Sequence, residues 1–329
     1  MREHALENNS VARLSNDNIE LVPRTEFDGT ALEFDFPGIE IGVAEYDEGP
    51  TGCTVFNVPE GADCSIDVRG GSPGISGAGY PFVHAICLAG GSLYGLEATA
   101  GAAAELLARR GYRTGWLDIP LVAGAIVFDW GPRDNAIYPD KKLGRAALRA
   151  ARAGVFPLGA RGAGRSTTAG KLFAYEEGEP AGQGAAFRQV GETKIAVFAV
   201  VNAVGAIVDR DGNVVRGHYD REVGERRDLV AGVEQRLAEG RPIRPPPGNT
   251  TLTVAATNLR LDARQLRTLG RQVHASMARA IQPFHALEDG DVLFALSTGQ
   301  VESDPLLDTT ALGVVASEVA WDAVLSVVR

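Results

Sequence analysis

This chain has little of what usually announces an activity. Its 329 residues include only three cysteines, Cys53, Cys64 and Cys87, and five histidines. The cysteines lack metal spacing and cannot all pair within one chain. A disulfide framework is therefore excluded, and a reducing, cytoplasmic setting is the expectation. His4, His84, His218, His274 and His285 form no HExxH or other close cluster, so a zinc site is not expected. A basic excess is also absent. The formal net charge is −10, which excludes a surface built to replace phosphate counterions and so argues against a nucleic-acid partner. No run of about 18 residues is free of charge or glycine, so no membrane span is expected. The opening MREHALENNSVARLSNDN has no apolar h-region and reads as no secretory signal. Residues 1–20 are expected to form a mobile tail.

What is present is a core. Apolar residues make up 45% of the chain, and many of its 40 glycines sit inside apolar segments, where they permit close backbone approach. Ile39–Glu45, Cys53–Val58, His84–Leu88, Leu121–Asp129, Lys194–Val201 and Val292–Thr298 read as strands. Ala206–Asp209 and Val214-Val215 read as a hairpin around Asp211-Gly212. Helices are expected behind Ser92, with Leu93, Leu96, Ala100, Ala103 and Leu107 on the buried face; over Lys141–Ala153, ended by Gly154; and over Leu229–Leu237. Asp262 and Gln265 make a capping-box pattern ahead of Leu266, Leu269, Val273, Met277 and Ile281. Asp308–Val328 closes the chain as a helix. Helices alternating with strands imply helices packed on sheets.

One stretch stands out. RPPPGNTTLTVAATN runs three prolines into Gly248-Asn249 and opens a strand at Thr250. Prolines cannot lie inside a sheet, so Pro245–Pro247 form a stiff lead-in. From Thr250 the residues alternate. A plain loop entering an edge strand accounts for this pattern. So does a strand that becomes a chain terminus. Cutting Asn249–Thr250 would put an α-amine, with a reference pKa of about 7.7–8.0, beside the Thr250 hydroxyl. One residue would then hold both nucleophile and base.

Other residues could serve such a centre, and each has a plainer reading. Asp289 and Asp291, two apart at a strand entrance, could point the same way, or mark a solvated turn. Lys171, in STTAGKLF, could tune charge or sit on the surface; its loop lacks P-loop spacing. Asn202, at a strand end, and Tyr138 could donate to an oxyanion, or be a turn residue and a half-buried tyrosine. The Gly90-Gly91 backbone could offer N–H donors or simply start a helix.

Taken in order, HAICLAGGSLYGLEA, AIYPDKKLGRAAL, AGQGAAFR, VGAIVDRDGNVVRG, PGNTTLTVAATN, QPFHALEDGDVLFA and ASEVAWDAVL resemble the nylon hydrolases, the endo-type aminohexanoate-oligomer hydrolases. These fall within the self-cleaving N-terminal-nucleophile peptidases that include DmpA-like enzymes and β-aminopeptidases. The resemblance runs from about Phe34 to the C-terminus. It implies an αββα sandwich of residues 21–329, cut between Asn249 and Thr250 into pieces 1–249 and 250–329 that stay together and commonly assemble as tetramers of heterodimers. It implies Thr250 as nucleophile, with Asp289, Asp291, Lys171, Asn202 and Tyr138 around it, a small amide or oligoamide as substrate, and no cofactor. Two positions depart from the pattern: Arg165 stands where an uncharged residue is expected, and Ala203 follows Asn202 in place of proline. An aminopeptidase acting on short peptides and an uncleaved binding protein of the same fold remain open as readings.

Overall fold

The computed structural model describes residues 13–302 and 307–328. Its main elements are β1 (Glu40–Tyr46), β2 (Thr51–Val68), β3 (Phe82–Ala89), α1 (Leu96–Arg109), β4 (Val122–Ile126), α2 (Lys141–Arg149), β5 (Gly182–Val190), β6 (Thr193–Asn202), α3 (Leu229–Ala238), β7 (Thr250–Leu259), α4 (Ala263–Ser276), β8 (Val292–Val301) and α5 (Thr309–Leu325). Hydrogen bonding is continuous from β5 through β6, β7, β8, β2 and β3 to β4. The ladder nonetheless folds into two layers, because β2 serves both. Its first half pairs with β1 and β3, and its second half, Asp63–Val68, pairs with β8. The switch lies at a register shift between Asn57 and Ala62, where Gly61 takes φ +76°. A bulge of this kind bends a strand out of one sheet and into the next.

Period-two alternation then sorts the side chains. Phe198 and Val200 of β6, Leu252 and Val254 of β7, and Phe294 of β8 face the space between the sheets, where they meet Phe56 of β2 and Phe156. Phe198 has Phe34, Phe56 and Phe156 at ring-centroid distances of 5.5, 5.1 and 5.0 Å. The opposite faces, with Val197, Ala199, Ala255 and Leu293, pack on α4 and α5. Val55, Cys53 and Cys87 pack on α1 and α2. The result is helix, sheet, sheet, helix. A 20-residue apolar stretch, Thr309–Val328, is long enough by composition to cross a membrane, but here it supplies α5, whose Leu312, Ala316, Val319 and Ala323 close the outer face of β5 and β6.

Several expectations shift. Residues 1–12 of the expected tail lie outside the described residues, while residues 13–20 rest on the body: Asn16 holds Tyr138 and Asp140, and the Ala136 N–H donates to the Leu14 carbonyl. Ser92 is not a cap; it begins a 3-10 turn after left-handed Gly91, and α1 starts at Leu96. The buried face of α1 is Ala98, Gly101, Ala102 and Leu106, while Leu93 and Ala100 are exposed. The reason is steric. A Cβ on Gly144 of α2 would lie 2.0 Å from the Ala98 carbonyl oxygen, so the two helices touch through their smallest residues, not their leucines. α2 ends at Arg149, and α4 gives way at Met277 to a 3-10 turn. The capping box at Asp262 and Gln265 is present.

Candidate active site

β7 is no edge strand. All ten of its residues are buried, with β6 antiparallel on one side and β8 parallel on the other. Thr250 is its first residue and lies opposite Asn202, the last of β6. Position fixes the rest. The segment before Thr250 runs beside the segment before β8, so Asn249 bridges to Asp289. The Gly290 N–H donates to the Asn249 carbonyl at 2.8 Å, and the Thr250 hydroxyl donates to the same oxygen at 2.5 Å. The Asn249 carbonyl is thus held between a backbone donor and the hydroxyl that follows it in the chain. Gly290 has no room for a side chain: a Cβ there would lie 2.3 Å from the Ser72 carbonyl oxygen. The loop that crowds it also braces the acidic segment, through Arg69 N–H to the Asp291 carbonyl and Ser72 N–H to the Asp289 carbonyl.

Asp289 and Asp291 are fully buried. Asp291 Oδ1 accepts the Thr251 N–H at 2.7 Å, the amide next to the nucleophile candidate. Asp289 accepts the N–H groups of Val204 and Ala286, both at 3.2 Å. Burial, then the Asp291 charge, pushes the Asp289 carboxyl up to about 7, against those N–H donors and Lys171. Lys171 is buried too. Its Nζ donates to Asn202 Oδ1 at 3.1 Å and to the Asn202 carbonyl at 3.3 Å. Burial pulls the ammonium down to about 7, with Asp289 opposing. Two groups that ordinarily titrate far apart therefore meet near neutrality, the condition for moving protons at working pH.

Asn202 is the junction. Its Nδ2 donates to the Phe128 carbonyl at 2.9 Å and to the Gly248 carbonyl at 3.1 Å, while its Oδ1 accepts from Lys171 and Thr168 N–H. Gly248 sits at φ +86° with the Phe128 ring 2.9 Å from where a Cβ would be, so glycine alone fits. A cavity of about 320 Å³ opens here. Phe128, Pro132 and Tyr175 give it apolar walls, Lys171, Asn202 and Thr168 line it with polar groups, and Pro246–Asn249 form one side. The proline lead-in therefore lies along the site.

Five of the six expected residues, Thr250, Asp289, Asp291, Lys171 and Asn202, come together. Tyr138 does not join them. Its backbone is tied to Asn16 and its ring packs on Tyr94 at a centroid distance of 5.7 Å, and among the described residues no hydrogen bond links it to the other five. Burial, then the Glu97 carboxylate, pushes its phenol up to about 12. Its place before Pro139 and Asp140, the N-cap of α2, binds it to the outer helix layer. The phenol at the cavity is Tyr175, whose buried hydroxyl has no partner among the described residues. Nothing in YEEGEP marked it. Gly91 N–H donates to Asp129 and does not face the cavity. Arg165 also points elsewhere, pairing with Glu45 at 3.1 Å. Ala203 is fully buried, and the next amide, Val204 N–H, holds Asp289.

Four layers, helix, sheet, sheet and helix, with a threonine opening a central strand, match the N-terminal-nucleophile hydrolase fold. Among solved structures, the L-aminopeptidase D-Ala-esterase/amidase from Ochrobactrum anthropi, described as a variant of that fold, superposes with a TM-score of 0.65 at 16% identity, covering 92% of this chain and 88% of its own. The β-aminopeptidase from Burkholderia sp. gives 0.62 at 17% identity, covering 91% and 88%. The chain belongs to peptidase family S58, whose model matches residues 34–328. The 6-aminohexanoate-oligomer endohydrolases of Agromyces sp. (strain KY5R) and Paenarthrobacter ureafaciens are each 48% identical over 319 residues, covering 94% of this chain and 89% of theirs. An aminopeptidase-named protein of Mycobacterium bovis is 34% identical over 77% of this chain and 75% of its own.

Proposed function

We propose that this chain is an amide hydrolase that activates itself by cutting Asn249–Thr250 and then hydrolyses oligomers of 6-aminohexanoate. The observation that carries the reading is the Thr250 hydroxyl against the Asn249 carbonyl, with Gly290 N–H already on that oxygen. In the first reaction Thr250 Oγ1 attacks the Asn249 carbonyl carbon. Gly290 N–H stabilises the oxyanion. The hydroxyl proton passes to the departing Thr250 nitrogen, the C–N bond breaks and an ester remains. Water opens the ester, leaving an Asn249 carboxylate and a Thr250 with free hydroxyl and free α-amine.

In the second reaction the α-amine takes the hydroxyl proton as Oγ1 attacks a substrate amide, and the amine product leaves with that proton. Water then releases the acyl group from Thr250. Asp291 holds the strand start through Thr251 N–H, and Lys171 holds Asn202. Once the Gly248 carbonyl departs with the lead-in, one Asn202 donor is free for the substrate oxyanion. The two pieces stay together because β7 is paired along both edges.

The oligomer assignment rests on the 48% identical endohydrolases and on the cavity. An enzyme trimming peptides from an end needs a charge to receive the terminal amine. No carboxylate lines this cavity among the described residues, whereas Phe128, Pro132 and Tyr175 suit a methylene chain. Mass spectrometry of the incubated protein tests the reading: two masses splitting at Asn249/Thr250, with release of shorter aminohexanoate oligomers, support it. A single mass, or a cut protein that trims only peptide N-termini, overturns it.

A further inference from the structure

The histidines are scattered in the sequence, yet the fold gathers two of them behind Asp291. His285 donates to Asp291 Oδ2 twice, from its backbone N–H at 3.1 Å and from ring Nδ1 at 2.9 Å. Its backbone sits at φ +60°, a conformation non-glycine residues seldom hold. Here that turn aims both donors at one oxygen. On the far side stands His274 of α4, fully buried, its ring edge-on to His285 at a centroid distance of 4.4 Å. His274 Nδ1 meets Asp67 Oδ2 at 2.9 Å, and Arg69 Nε meets the same oxygen at 2.7 Å. Carboxylates accept, so each ring presents Nδ1–H. Burial lowers the pKa of His274 and keeps the ring neutral, while His274 and Arg69 hold Asp67 at about 2 against its own burial. A line of contacts thus runs from β2 through the outer helix layer to the candidate site.

We propose that His285 is a positioning residue for both reactions, an inference that rests on Thr250 being the nucleophile. It touches no reacting atom. By fixing Oδ2 from behind, it aims Oδ1 at the Thr251 amide and holds the Asp291 charge against Asp289. The charged and titratable groups facing it are Asp291 on its own loop, His274 on α4, and Asp67 and Arg69 beyond; Asp289 and Lys171 lie across the site.

Three variants of the full chain test this. His285→Gly eases the backbone and removes the ring. His285→Phe keeps the ring volume against His274 and Phe284 but has no donor. His285→Asn carries an amide N–H near the place of Nδ1–H and tolerates the left-handed backbone. The glycine and phenylalanine variants are expected to cut themselves at least tenfold more slowly and to lose a similar factor in kcat, with KM within twofold. The asparagine variant recovers to within about threefold of the parent. Parent-like maturation and kcat in whichever donor-less variant folds overturns the proposal, as does an asparagine variant as slow as they are. Thr250→Ala run alongside separates the two readings. If that variant still cuts, the nucleophile assignment fails. If it stays whole and inert while His285→Gly behaves like the parent, only the role of His285 falls.

Discussion

Two buried charged clusters lie on either side of Phe128, and they are built on opposite terms. Asp129 and Arg133 satisfy each other: Arg133 Nη2 meets Asp129 Oδ1 at 2.6 Å, the Thr51 hydroxyl and the Gly91 N–H complete the carboxylate, and the carbonyls of Gly49, Ile137 and Asp129 take the remaining guanidinium donors. Lys171 and Asp289 form no such pair among the described residues. The lysine leans on the oxygens of one asparagine, and the carboxyl leans on two backbone amides. Full pairing makes the first cluster a fixed knot that holds the cavity wall at Phe128–Pro132. Incomplete pairing leaves the second close to a change of charge, which a structural cluster has no use for.

The sharpest way to break this comparison is at the proposed nucleophile. Thr250→Ala is expected to leave one uncut chain with no measurable amide hydrolysis, read by mass and by oligomer assay, and to leave the fold's thermal transition in place. Next comes the knot. Arg133→Met strands a buried carboxylate and is expected to cost about 3–5 kcal/mol in denaturant unfolding, while any protein that folds still cuts itself. If maturation is instead abolished in folded material, the knot is part of the chemistry and the contrast fails.

The third prediction sharpens the contrast through pH. Asp289 is raised to about 7, so its protonated folded form is favoured below that value, and its contribution to stability is lost as pH rises toward 7. Lys171 is lowered to about 7, so its contribution grows as pH rises from 7 towards the ordinary lysine value. The two place a minimum of stability near neutrality. Lys171→Met is expected to remove the alkaline rise, seen as a melting temperature that no longer climbs relative to the parent between pH 7 and 10. The smallest effect is at Arg165. Because it pairs with Glu45, outside the cavity, Arg165→Ser is expected to change kcat/KM by less than about threefold.

What was legible in the sequence was local. The proline-to-threonine boundary, the Asp-Gly-Asp entrance and the Asp262 capping box each depend on neighbours in the chain, and each is found where the pattern put it. What was not legible depends on partners far away. His274 and Asp67 are 207 positions apart, and no spacing rule joins them. Tyr138 and Tyr175 carry the same side chain; only the packing of the Phe128–Pro132 wall against residues 166–175 decides which one lines the cavity. α1 misled for another reason. Where helices touch through glycine and alanine, the largest apolar side chains do not mark the buried side.

β7 lies between β6 and β8, yet β8 is made from residues 292–301. On a ribosome, residues 51–202 emerge first and wait with two open sheet edges, the outer side of β6 and the second half of β2. Such edges invite pairing with other chains. Thr250 itself emerges before the carboxylates and the Gly290 amide that surround it. On the proposed mechanism the hydroxyl therefore stays idle until the sheet closes, and a fragment ending at Asn249 made alone is expected to aggregate.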